Sequence, residues 1–169
     1  GGGGGASVVP CGSTDVDVAS SLPPPSLLGS TSDPPSVLSS PQLLLLRRAL
    51  PLRHVLCDWT LLYSTEQHGC SLRTMYARLE RRGPSLLLVL DAQGHIFGGY
   101  CSEAWRPARR YFGTGESFLF KVHPDFAVYR WTRANAHFAF GTHDCVAFGG
   151  GGGGGGEAAG PGLFPVSYT

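Results

Sequence analysis

The stretch SLLLVL-DAQG-HIFGGYC, residues 85–101, decides the fold. Ser85 to Leu90 is a continuous apolar run, short enough for a strand buried on both faces. Asp91-Ala92-Gln93-Gly94 has the chemistry of a tight turn, Asp first and Gly last. His95 to Cys101 then returns as the hairpin partner. Gly98-Gly99 inside that strand marks a bulge or a close backbone approach. A hairpin with two apolar faces must be covered on both sides, which predicts stacked layers around a sheet.

The flanking segments supply those layers. Upstream, Leu43 to Leu50 is a short apolar run with Arg47 and Arg48, predicted as a helix that stops at Pro51. In Trp59 to Ser64, Trp59, Leu61 and Tyr63 point one way and Thr60, Leu62 and Ser64 the other. Ser71 reads as the N-cap of a helix through about Arg81. Its apolar face is Leu72, Met75, Tyr76 and Leu79, at i, i+3, i+4 and i+7. Downstream, a loop covers Ser102 to Arg110. Strands follow at Ser117–Val122, with Phe118, Phe120 and Val122 on one side, and at Phe126–Trp131, His137–Phe140 and Cys145–Phe148. The predicted class is α+β, mainly β: a two-sheet antiparallel sandwich with flanking short helices.

Composition bounds the function. The chain has 169 residues with a formal charge of +1, so no strong basic field attracts nucleic acid or anionic membrane. Glycine is 25 of 169, about twice its usual share. No apolar run reaches the roughly 18 residues of a membrane span. The five cysteines are odd in number and lack CxxC spacing, which argues against a disulfide framework and a zinc ribbon. Residues 1–35 are rich in Gly, Pro and Ser and are expected to be a disordered linker. A second glycine cluster runs from Gly149 to Gly156, and 157–169 is expected to be a disordered tail. The chain begins at Gly1 and its one methionine is Met75, so it reads as a fragment.

Candidate chemistry is sparse. Gly113-Thr114-Gly115-Glu116 lacks the third glycine of a dinucleotide fingerprint and the lysine of a phosphate loop, so it reads as a tight turn. His143-Asp144-Cys145 brings together three catalytic residue types, but neighbours along a strand face opposite ways. His68 and His137 are the other candidate partners for Cys145. Free cysteines commonly pack as small apolar groups, and that is the expectation for Cys57, Cys70, Cys101 and Cys145. For direct reaction with peroxide, Cys57 and Cys101 are the candidates, since arginines lie near them in sequence. Trp105, Arg106, Arg109 and Arg110 form a basic, aromatic loop that reads as a protein-binding anchor rather than a nucleic-acid grip. No catalytic, cofactor or metal set is assigned.

An ordered series of motifs resembles the TLDc domain family. It includes Leu61-Leu62-Tyr63-Ser64, His68-Gly69, Ser71-Leu72 with Tyr76, and Pro84 to Val89. The sharpest element is Tyr111-Phe112-Gly113-Thr114-Gly115-Glu116-Ser117-Phe118-Leu119-Phe120. Tyr129-Arg130-Trp131-Thr132, Asn135 and Ala147-Phe148 with the glycine run continue it. The resemblance covers residues 36–156. Leu86-Leu87-Leu88 and Tyr100-Cys101-Ser102 with Trp105 resemble the branch in which this domain follows a TBC, Rab-GTPase-activating domain. After the glycine run, Glu157 to Pro161 replace the family's next strand, so the domain is expected to be incomplete at its C-terminus. A sandwich short of strands exposes apolar faces, which predicts poor solubility or chaperone binding.

The resemblance implies a non-enzymatic interaction module linked to oxidative-stress resistance and to binding and regulating the proton pump V-ATPase, with no cofactor. The alternative it implies is a vesicle-trafficking adaptor acting with a TBC domain on small GTPases or membranes. The implied location is cytoplasmic or on cytoplasmic membrane surfaces, with mitochondria also open. Gly69, Gly113, Thr114, Gly115 and Glu116 are then structural signature residues. Glu116 is expected to hold the Gly113–Gly115 turn by accepting backbone hydrogen bonds. Trp105, Arg106, Arg109 and Arg110 are the expected contact surface.

Overall fold

A computed structural model describes residues 22–31 and 36–149, and the backbone of Val166–Tyr168. The strands are β1 (Leu27–Leu28), β2 (Trp59–Tyr63), β3 (Ser85–Leu90), β4 (Ile96–Cys101), β5 (Phe118–His123), β6 (Ala127–Arg130), β7 (Ala139–Gly141), β8 (Val146–Phe148) and β9 (Val166–Tyr168). The helices are α1 (Ser40–Ala49), α2 (Thr65–His68) and α3 (Leu72–Leu79), and a 3-10 turn covers Leu52–His54. The larger sheet runs β1-β2-β9-β3-β4-β5-β6, and β7 pairs with β8 in a smaller one. All pairings are antiparallel except β1 with β2. The class is α+β, mainly β, as the hairpin at 85–101 predicts.

That hairpin forms in the expected register, Ser85 opposite Cys101 through Leu90 opposite Ile96. Asp91 Oδ1 closes its turn by accepting from the N–H groups of Gln93 (2.9 Å) and His95 (2.8 Å). Both glycines of β4 mark close approaches. A Cβ on Gly98 would stand 1.8 Å from the Leu87 carbonyl oxygen, and one on Gly99 would stand 2.6 Å from the Phe148 ring.

Each face of the large sheet carries its own core. On one face, Leu43, Leu46 and Ala49 of α1 pack over Trp59, Leu61, Leu86, Leu88, Tyr100, Phe118 and Phe120. On the other, Met75, Tyr76 and Leu79 of α3 pack with Leu62, Tyr63, Leu87, Trp105, Phe112 and Ala139. The predicted apolar stripe of α3 is therefore its buried stripe. Ser71 caps it, its Oγ accepting from Thr74 N–H at 3.2 Å.

Three local expectations change. Helix α1 starts earlier than the apolar run, because Pro41 sits in its first turn where no N–H is required. Gln42 Oε1 accepts from the N-cap Ser39 N–H at 2.9 Å. Tyr63 joins Leu62 rather than Trp59 and Leu61, since the β2–β9 register shifts between Leu61 and Tyr63. Two strands lie in stretches expected to be unstructured: β1 within 1–35 and β9 within 157–169. Residues 1–21 and 32–35, most of the glycine run and the rest of 157–169 lie outside the described residues. Buried Arg47 donates from Nε to the Val55 carbonyl and from Nη1 to the Pro23 carbonyl, tying the segment before β1 to the 3-10 turn.

Candidate functional site

The signature turn precedes β5. Gly113 has φ 100°, a left-handed conformation that favours glycine. Its N–H donates to Glu103 Oε1 at 3.0 Å, and Thr114 N–H donates to Ser102 Oγ at 2.8 Å. Ser117 Oγ reaches Ser102 Oγ at 3.1 Å, and Ser117 N–H donates to the Thr114 carbonyl at 2.9 Å. A Cβ on Gly115 would lie 2.1 Å from the Trp131 ring, so Gly115 is the floor beneath that indole. The acid that holds the turn is thus Glu103, not Glu116 as expected. The loop after β4 brings Glu103 back over the turn.

Glu116 instead forms a bidentate pair with Arg53, Nη1 to Oε1 at 2.5 Å and Nη2 to Oε2. The Arg53 hydrogen bond holds the Glu116 carboxyl below the usual carboxylate range. The pair is exposed and screened, so its role is geometric rather than a large contribution to stability. Gly69 lies elsewhere. It caps α2 with φ 75°, and its carbonyl accepts from Tyr63 OH.

The arginine loop divides. Trp105 is 1% exposed and wedged edge-on between Phe112 and Phe148, with ring centroids at 5.7 and 5.0 Å. It cannot contact a partner in this fold; it anchors the loop to the core. Arg106, Arg109 and Arg110 are exposed. Arg106 lies over the Phe112 ring at 4.5 Å and pairs with Glu103 at 2.9 Å.

The cysteines divide too. Cys101 is fully buried, and burial pushes its thiol up to about 12, which removes it as a peroxide-reactive candidate. Cys57 and Cys70 are exposed, against the expectation of buried apolar packing. Cys57 Sγ lies 3.7 Å from the Arg53 carbonyl. Cys145 Sγ meets Thr142 Oγ1 at 3.2 Å, while His143 and Asp144 are exposed in the β7–β8 turn. His137 stacks on Tyr111 at 4.3 Å, and His68 Nδ1 accepts from Ser64 N–H at 3.1 Å. Among the described residues, no three His, Cys, Asp or Glu side chains gather as a metal site. Nor is any helix there long and apolar enough to cross a membrane.

A cavity of about 220 Å³ opens beside the end of α1. Its apolar walls are Leu50, Trp59, Pro84 and Leu86, and Cys57 and Asp58 also line it. His54 and Tyr100 also line it, and Ser85 borders it from β3, where its place opposite Cys101 turns its side chain to the α3 face. His54 Nε2, Ser85 Oγ and Tyr100 OH are all buried without a hydrogen-bond partner in the protein. Leaving such a group unmet costs about 1–3 kcal/mol. Burial pushes Tyr100 up to about 12, which keeps it a neutral phenol. Burial, and then the Arg53 charge, lowers His54 and favours the neutral imidazole. Arg53 precedes His54 in the 3-10 turn, so the Arg53–Glu116 pair fixes the turn that carries His54.

Sequence reasoning missed Arg53, His54, Ser85, Tyr100 and Glu103. One signal was present: Ser85 opens an otherwise apolar strand.

Comparison with known proteins places this geometry in a family. The TLDc domain matches residues 31–164. Oxidation resistance protein 1 of Xenopus laevis is 44% identical over 128 residues, 75% of this chain and 15% of that protein. The GTPase-activating protein skywalker of Drosophila melanogaster is 43% identical over 91 residues, 48% of this chain and 16% of that protein. MTOR-associated protein MEAK7 of Danio rerio is 38% identical over 128 residues, 73% of this chain and 28% of that protein. The chain spans about 15% of the length of the oxidation resistance proteins it matches. With its signature turn and two-faced sheet, the chain belongs to the TLDc domain family.

Proposed function

We propose that this chain is a non-catalytic TLDc interaction module that contributes to oxidative-stress resistance by binding the V-ATPase and shifting its assembly equilibrium. The observation that carries the reading is the family match across residues 31–164, with relatives named oxidation resistance protein. A ligand or partner shifts an equilibrium only by its differential affinity for the two states, so the module needs a defined contact surface. Arg106, Arg109 and Arg110 supply one: exposed cations on a loop whose path is fixed by buried Trp105. The partner is a protein with a complementary acidic surface, and nucleic acid is not expected to bind a chain of formal charge +1.

The test is capture of isolated V-ATPase by this chain and by a variant in which Arg106, Arg109 and Arg110 become Glu. Salt-sensitive capture that the triple variant loses is the expected result. Equal capture by both chains would remove the arginine surface, and capture by neither would remove the pump reading.

A second reading draws on the relative named as a GTPase-activating protein. In it the module is an adaptor in vesicle trafficking, positioning a TBC domain on small GTPases or a membrane surface. Binding of small GTPases without V-ATPase capture would favour it. Either reading places the module in the cytoplasm or on cytoplasmic membrane surfaces.

A further inference from the structure

The formal charge of +1 conceals a division of charge along the chain. Residues 71–83 and 102–110 hold seven of the thirteen basic residues but two of the twelve acids, leaving six bases and ten acids elsewhere. The seven are Arg73, Arg78, Arg81 and Arg82 from the first segment, and Arg106, Arg109 and Arg110 from the second. The fold sets the two segments side by side. A Cβ on Gly83, just past α3, would stand 2.6 Å from the Ala104 nitrogen. One on Gly141 would meet both Tyr76 OH of α3, at 2.6 Å, and the Arg106 carbonyl oxygen, at 2.7 Å. Met75 and Leu79 of α3 share a core with Trp105 of the loop. All seven arginines are exposed. Arg106 pairs with Glu103, and the other six enter no ion pair among the described residues.

Two of these arginines stand where the backbone disfavours them. Arg73 lies in the first turn of α3, which holds no acid, and the helix dipole there favours anions over cations. Arg81 follows the cap residue Glu80 with φ 59°, a left-handed position that glycine normally fills. Helix stability explains neither. Unpaired like charges gathered on one face also repel one another, a cost that a bound anion removes.

We propose that the outer side of α3 and the 102–110 loop form one arginine face that binds an acidic polypeptide segment, a run of Asp and Glu side chains. Guanidinium groups match carboxylates in bidentate pairs, the mode that Arg53 makes with Glu116. The excess of acids elsewhere in the chain favours a short acidic segment over a membrane or a nucleic acid, whose extended negative charge reaches past the face. Neither segment exposes a large aliphatic side chain for insertion into lipid. The inference extends the loop surface of the proposed function onto α3, and it rests on that reading for Arg106, Arg109 and Arg110.

The experiment is fluorescence anisotropy of a labelled poly-glutamate peptide with the full chain, at low and at physiological ionic strength. The peptide should bind, and more weakly as salt rises. Arg78→Glu should weaken it severalfold at low salt. Arg48→Glu makes the same charge change in the last turn of α1, across the sheet, and should stay within about twofold of the parent. Arg81→Gly should weaken the peptide while raising the thermal midpoint, because glycine suits φ 59°; a merely structural arginine would lower both or neither. Equal losses from Arg78→Glu and Arg48→Glu would overturn the proposal, since net charge alone would then act. Tighter binding to phosphatidylserine vesicles than to the peptide would also overturn it, in favour of a membrane. Loss on changing Arg106, Arg109 and Arg110 to Glu, with both α3 variants binding like the parent, would remove α3 and leave the loop surface standing. Peptide binding through both groups without V-ATPase capture would remove the pump reading and leave the arginine face.

Discussion

The two faces of the large sheet are covered in different ways. On the α1 face, one amphipathic helix lays Leu43, Leu46 and Ala49 across β2 to β5. On the α3 face, a shorter helix shares the work with a loop and the small β7–β8 sheet, and the fill is largely aromatic: Tyr63, Tyr76, Trp105 and Phe112, with Phe148 against them. The first core is assembled from regular elements. The second depends on a wedge, Trp105, whose partners come from elsewhere in the chain. Adjacent glycines in β4 sample the two environments. Gly98 is pressed against the Leu87 backbone and the Phe120 ring on the α1 face, whereas Gly99 lies under the Phe148 side chain on the other.

The largest effect should therefore come from Gly98→Ala. Its Cβ would meet a backbone carbonyl that cannot move without parting β3 from β4, so a loss beyond about 4 kcal/mol is expected in urea denaturation. A Gly98→Ala chain that unfolds cooperatively near the parent midpoint would contradict the asymmetry. Next come the two cores themselves. Trp105→Ala should cost about 3–5 kcal/mol and Leu46→Ala about 2–5 kcal/mol. If Trp105→Ala were neutral, the second core would not hang on its wedge. Gly99→Ala follows at about 1–3 kcal/mol, because the obstacle is a half-buried ring rather than backbone. A Phe148→Leu background should recover part of that loss, and a double-mutant cycle reads the coupling.

The smallest effect is electrostatic and belongs to the cavity on the α1 side. His54 is held below its ordinary 6.5 by burial and then by Arg53. The unfolded chain takes up this proton first. The stability contribution is therefore complete above 6.5 and is lost as pH falls through the lowered folded value. Thermal melts of the parent between pH 7 and 5 should decline more than those of His54→Gln. Parallel curves would show that His54 does not carry the difference.

The same division governs what could be read in advance. The hairpin at 85–101 and the stripe of α3 were legible because their patterns are local: a run, a turn, a 3.6-residue period. Pro41 concealed the start of α1, because a proline that breaks a helix interior is acceptable in its first turn. Trp105 was misread as a surface residue since loops usually run over the outside; here Phe112 and Phe148 close over it. Glu116 and Glu103 both lie near the signature turn, and only the path of the loop after β4 decides which carboxylate reaches Gly113. His54 and Tyr100 come from separate segments with no shared spacing, so nothing in the linear order points to their meeting.

Strand β9 has a consequence in time. It lies between β2 and β3, with Tyr168 opposite both Leu61 and Leu86. Yet residues 91–165 leave the ribosome between β3 and β9. At about 5–20 residues per second, several seconds of translation separate the emergence of the two neighbours from that of the strand between them. Throughout that interval the inner edges of β2 and β3 have no cover, and the segments involved, Leu61 to Tyr63 and Leu86 to Leu88, are among the most apolar in the chain. A nascent sheet with its middle place vacant is a natural client for a ribosome-associated chaperone, and slower translation would lengthen the exposure in direct proportion.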